Sequence, residues 1–240
     1  MSGHSKWATT KRAKAIVDAK KGAIFTKLSN NISLAAREKG GDPNTNFSLR
    51  MAIDKAKAVN MPKENIERSI KRGTGELGGE QIAEYIYEGI GPVKTQFVVK
   101  ALTDNKNRSA ASVRHLFSKY GGALGSVMWN FELKGVARIL AEDLKDGLSD
   151  ELELELIDAG ADDIQKEDEG VTIYTKPENL QKVKQYLDGK SIKTETAEME
   201  YIAKEEMQLS EDEKEQVQKF IDELEDDEDI SDYYNNIANL

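Results

Sequence analysis

Ten cationic side chains in the first third of the sequence could neutralise phosphate. Lys6, Lys11, Arg12, Lys14, Lys20, Lys21 and Lys27 form one cluster, and Arg68, Lys71 and Arg72 form a second. Few acids intervene, since residues 1–75 hold 16 Lys and Arg against 6 Asp and Glu, a balance of +10. The other 165 residues hold 18 against 38, a balance of −20, within an overall net charge of −10. An extended field of one sign attracts partners of the other. Lysines and arginines on helices suit phosphate spacing and release counterions on binding, which gives affinity that tolerates sequence. The basic third is therefore expected to meet nucleic acid, with contact confined there by repulsion from the acidic remainder. Trp7, in the GHSKW start, either stacks on a base or packs on the helices that follow.

Other chemistries are poorly supplied. His4 lies near the start and His115 beside Leu116, with no HExxH spacing, no partner histidine and no cysteine; neither reads as a metal ligand or a general base. The glycine groups GTGELGG and KYGGALG lack the Lys-Ser or Lys-Thr of a Walker A loop and a strand-to-helix dinucleotide context, so they read as helix ends and linkers. In EDLKDGLSDELELE, Asp146, Gly147 and Glu153 fall in partial register with a calcium loop, but Leu144 stands where an oxygen ligand is required. No catalytic residue, metal or cofactor is expected. The lack of cysteine excludes a disulfide scaffold and a thiol nucleophile and fits a reducing compartment, for which the cytoplasm is the expectation. No run approaches the roughly 18 apolar residues of a membrane span, and the basic start lacks the apolar core of a signal peptide.

The cations must be carried by helices. Phe25, Leu28, Ile32, Ala35 and Ala36 make one apolar stripe, ended by Gly40 and Gly41. Leu49, Ala52, Ile53, Ala56 and Val59 make a second, with Arg50, Lys55 and Lys57 outside it. A third short helix starts near Pro62 and buries Ile66 and Ile70. Helices this short should pack together as a basic bundle over residues 1–79.

After Gly79 the apolar period changes from 3.6 to 2. AEYIYEGI and VKTQFVVKAL read as strands, NRSAASVRHLFSKYGG as a helix and VMWNFEL as a strand. Residues 135–201 then read as βαββαβ, the ferredoxin-like unit. Capping-box spacings at Thr175/Glu178 and Ser210/Glu213 predict helix starts. The last helix and a strand at DYYNN have no core of their own and complete the sheet of residues 80–132. The expected class is α+β, with an N-terminal helical bundle and two interleaved α/β domains. These are a discontinuous one over residues 80–133 and 203–240, and an inserted ferredoxin-like one over residues 134–202.

MSGHSKW, DAKKGAIFTKL, AAREKGGDP, NMPKENIERSIKRGTGE, ALTDNKNRSAASVRHLFSKYGG and GSVMWNFELKG, in this order, resemble the YebC family. The resemblance runs over essentially the whole chain and is tightest up to about residue 135. It implies three domains and a regulator of gene expression. The family includes bacterial DNA-binding transcriptional regulators and ribosome-associated translation factors, among them the mitochondrial translational activators of cytochrome oxidase. The partners implied are promoter DNA, or rRNA and tRNA in the ribosome together with ribosomal proteins; a monomer is the expectation. The chain departs from the family pattern where it reads ATTKRAKAI, NFSLR and GPVKTQ, the last in place of a glycine-rich GPGG turn.

Overall fold

The structure, a computed structural model, describes residues 21–144 and 147–240. They form two compact units. One comprises residues 21–130 and 205–240, the other residues 131–204.

The first unit opens with three helices, α1 (Lys21–Lys39), α2 (Phe47–Ala58) and α3 (Lys63–Gly73). The stripes read from the sequence meet in one cluster, where Ile32, Ala36, Leu49, Ile53, Ala56, Met61 and Ile66 are buried and Phe25, Leu28 and Ile70 pack around them. Asn46 shapes the turn between α1 and α2. Its Oδ1 accepts from the Leu49 amide at 3.0 Å, capping α2, while its Nδ2 donates to Ala35 O and Gly40 O, each at 2.7 Å. One fully buried amide thus satisfies carbonyls at the end of one helix and an amide at the start of the next. The α1–α3 contact is close because its residues are small. Ser33 Oγ donates to Ser69 O at 2.9 Å, and a Cβ on Gly73 would stand 2.2 Å from Ser33 O.

The sheet of this unit is built from β1 (Ala83–Ile90), β2 (Gln96–Thr103), the two-residue β3 (Ala123–Leu124) and β8 (Ile230–Asn235), in the order β3-β1-β2-β8. Two helices, α4 (Lys106–Lys119) and α7 (Glu211–Asp226), cover it. Phe97 of β2, Phe117 of α4 and Phe220 of α7 meet edge to face, with ring centroids 5.0 Å apart for Phe97–Phe220 and for Phe117–Phe220. β8 pairs antiparallel with β2, so the DYYNN stretch does complete this sheet. β2 is buried on both faces, Phe97, Val99 and Ala101 on one and Val98 and Leu102 on the other. Its alternation alone does not reveal this. Asn30 of α1 donates to Leu102 O at 3.1 Å, so the helices reach the strand.

The second unit contains β4 (Phe131–Leu140), α5 (Asp150–Ala159), β5 (Ala161–Glu167), β6 (Gly170–Thr175), α6 (Leu180–Gly189) and β7 (Thr196–Ala203). Its strands lie in the order β5-β6-β4-β7 and are antiparallel throughout, the ferredoxin-like arrangement expected from the sequence. Leu180 of α6 lies over Gly135 of β4, marking the face that the helices cover. On the alternate face Arg138 and Glu200, both buried, form a bidentate pair. Burial works against the Arg138 charge, but Glu200 outweighs it and holds the guanidinium protonated.

Three local expectations are corrected. VMWNFEL is not one strand: the Glu88 carboxylate accepts from the Val127 and Met128 amides, a 3₁₀ turn follows at Met128–Asn130, and β4 starts at Phe131. It then runs unbroken through VARILA. Ser210 and Glu213 form the expected capping box, but Thr175 does not cap a helix. It ends β6, its hydroxyl donates to Lys176 O, and α6 starts only at Leu180. VKTQFVVKAL is a strand only from Gln96: in the GPVK turn before it, Val93 and Lys94 both take left-handed φ values, 56° and 61°, unusual for residues other than glycine. Val93 is held there by packing on the aromatic core.

Gly73→Ala is expected to destabilise the helical module by roughly 1–3 kcal/mol, read as a lower denaturant midpoint, because the new methyl must push the Ser33 backbone away. A second expectation concerns acid. Glu223 is held below the ordinary carboxylate value of 4.5 by hydrogen bonds from Lys119 and Tyr120, Glu155 by those from Tyr186 and Lys190, and Glu213 by the Ser210 amide and hydroxyl. A depressed carboxyl contributes stability that is complete above its unfolded value and lost as pH falls through its folded one. The melting temperature should therefore drop on acidification below about pH 4.5, and Glu223→Gln should make that drop shallower.

Candidate nucleic-acid interface

Of the ten cations and one tryptophan singled out in the sequence, Lys6, Trp7, Lys11, Arg12, Lys14 and Lys20 lie outside the described residues, and Lys21 opens α1. The other four fall into two pairs with different surroundings.

Lys27 and Arg72 point into the fold. Lys27 Nζ donates to Glu225 O, at the end of α7, at 2.6 Å. Burial lowers the pKa of its ammonium, while Asp232, Asp227, Glu225 and Asp226 oppose that shift. Arg72 donates to Asp104 Oδ2 at 3.1 Å. Asp104 also accepts from Arg108, whose guanidinium pairs with both oxygens of Asp229 at 2.9 and 3.1 Å. A chain of alternating charges thus runs from the end of α3 across the start of α4 to the residue before β8. Arg37 Nη1 adds a bond to Ile82 O at 2.7 Å. These cations fasten the helices to the sheet.

Arg68 and Lys71 point outward. Both are exposed on the last two turns of α3 and have no partner among the described residues. The first half of the same helix carries two acids, Glu64 and Glu67, and Glu67 pairs with Lys63 at 3.5 Å. The outer face of α3 is therefore polarised, with its available positive charge at the C-terminal end. Arg50 lies over the Phe47 ring at 5.5 Å, and Lys57 lies 4.0 Å from Asp54.

Sequence reading did not separate the inward pair from the outward one, since Arg72 and Lys71 are neighbours and the acids that take up Arg72 and Lys27 are far along the chain. It also missed Arg108, whose role shows only once Asp104 and Asp229 are brought together. Among the described residues no group of three or more His, Asp or Glu is placed to hold a metal ion, and no helix is long and apolar enough to cross a membrane.

The family model for the TACO1/YebC protein N-terminal domain matches residues 5–76, and that for the TACO1/YebC second and third domain matches residues 82–237. The chain belongs to the TACO1/YebC family. Full-length relatives agree. A probable transcriptional regulatory protein of Thermoanaerobacter pseudethanolicus is 50% identical over 99% of this chain and 97% of its own. One of Thermotoga petrophila is 50% identical over 98% and 93%. The crystal structure of a conserved hypothetical protein from Aquifex aeolicus superposes with a TM-score of 0.83 at 41% identity, covering 94% of this chain and 93% of that one. The Thermoanaerobacter and Thermotoga relatives thus carry regulatory names, and neither is named for a reaction.

If Lys27 is a fastener, Lys27→Ala should lower the melting temperature and leave nucleic-acid affinity within about twofold of the parent at equal salt, measured by anisotropy on the folded fraction.

Proposed function

We propose that this TACO1/YebC-family chain is a non-enzymatic, nucleic-acid-binding regulator of gene expression that touches the phosphate backbone with its N-terminal module. The observation that supports this most directly is the pair Arg68 and Lys71, exposed and without a partner among the described residues, in a segment whose balance is +10. Lys6, Lys11, Arg12, Lys14, Lys20 and Lys21 supply further phosphate contacts in this reading, and Trp7 stacks or anchors.

Structured RNA at the ribosome suits the geometry better than promoter duplex. A helix that reads the major groove inserts its length between two phosphate walls. α3 would bring Glu64 and Glu67 towards those walls together with its cations. Contact through one end of the helix suits the irregular backbone of folded RNA, which is recognised largely by shape and phosphate. The transcriptional names of the relatives favour the DNA alternative. A third reading limits the module to weak docking and gives the acidic α/β domains to protein contact. Binding that disappears by about 0.1–0.2 M salt would favour it.

Arg68→Ala/Lys71→Ala, titrated against a labelled rRNA fragment and a promoter duplex over a range of salt, should weaken binding about tenfold or more. It should reduce the salt slope by about 2, with the melting temperature unchanged. Unchanged affinity and slope would sink the phosphate assignment. Loss on rRNA, with co-sedimentation with ribosomes that RNase abolishes, selects the translational form; loss on duplex alone selects the transcriptional one.

A further inference from the structure

The ferredoxin-like unit carries an apolar surface that its own fold leaves uncovered. α5 sends Leu156 into the core, fully buried, but Leu154 and Ile157 are 64% and 51% exposed. They are three residues apart, so their side chains are neighbours on the outer surface of the helix. A solvated helix face ordinarily carries polar residues.

The charged side chains of the helix itself are all of one sign. α5 holds Asp150, Glu151, Glu153, Glu155 and Asp158 and no Lys, Arg or His. The acids on its flanks are already taken: Glu153 pairs with Lys166 at 3.4 Å, and Glu155 accepts from Tyr186 and from Lys190. Asp150, Glu151 and Asp158 are exposed and have no partner among the described residues. At helical spacing they border Leu154 and Ile157 on the side away from Leu156. Residues 131–204 as a whole hold 19 Asp and Glu against 10 Lys and Arg.

We infer that the outer face of α5 docks a cationic protein segment, one that sets apolar side chains on Leu154 and Ile157 and Lys or Arg side chains against Asp150, Glu151 and Asp158. Charge complementarity selects this occupant. A nucleic acid or an anionic membrane surface would be repelled by the three carboxylates, and an uncharged apolar partner would leave them desolvated without compensation. A Lys/Arg-rich amphipathic segment satisfies both parts, the apolar pair fixing its position and the three carboxylates excluding other partners. The inference does not depend on the nucleic-acid reading, which concerns the other unit.

The test uses the full chain, a short synthetic helical peptide with Leu and Lys at three-to-four spacing, and a control peptide of equal charge with Ser in place of Leu. The Leu/Lys peptide should bind in anisotropy. Leu154→Ser/Ile157→Ser should weaken it about tenfold or more, with the melting temperature and rRNA affinity unchanged. Asp150→Asn/Glu151→Gln/Asp158→Asn should weaken it at low salt and converge with the parent at about 1 M salt. Equal binding of the Ser control, or an unchanged affinity in the Leu154/Ile157 variant, would overturn the inference. So would a dimer in sedimentation that only this variant dissolves, since the face would then belong to a second copy of the chain.

Discussion

Charge in the N-terminal module is divided between two tasks by the acids it packs against. Lys27 reaches the Glu225 carbonyl, and Arg72 meets Asp104, itself tied through Arg108 to Asp229. Asp226, Asp227, Asp229 and Asp232, at the end of α7, before β8 and in β8, offset the charges of Lys27 and Arg108. Cations that face inward are held by this arrangement, and those on the outer turns of α3 remain available. Without these acids Arg72 and Arg108 would lose their partners, while the bonds from Asn30, Lys27 and Arg37 to backbone carbonyls would remain. The module is positioned by ion pairs and backbone carbonyls as well as by its small apolar cluster.

A second constraint comes from the path of the chain. It leaves the first unit after Asn130 and re-enters at Glu205, and Asn130 joins the two points. Its Nδ2 donates to Gln96 Oε1 and Glu205 O, and its Oδ1 accepts from the Glu205 amide. One buried side chain therefore ties the departing and returning segments to each other and to Gln96 at the start of β2. Glu88 does the same for the approach, drawing the Val127 and Met128 amides away from strand pairing.

The fold was legible wherever one period dominated. The stripes of Leu28 and Ile32, of Leu49 and Ile53, and of Ile66 and Ile70 gave three helices, and the βαββαβ order gave the second sheet. It failed where a distant side chain decided the local backbone. Val127 and Met128 have strand-like sequence, but Glu88, in β1, captures their amides. Thr175 has the right spacing for a cap, but it is held in β6. The site divides in the same way. The excess of Lys and Arg set the module apart from the acidic remainder, while only the positions of Asp104 and Glu225 separate Arg72 and Lys27 from Arg68 and Lys71.

The place of Phe220 and β8 has a consequence for how the chain is made. The ferredoxin-like unit is one continuous stretch, so it can close as soon as residue 204 has left the exit tunnel. The sheet of the first unit cannot. Its aromatic core lacks Phe220, and β2, paired with β1 on one edge, lacks β8 on the other, until the segment through Asn235 has emerged. During translation the part made first must wait, with Phe97 and Phe117 uncovered, for the part made last.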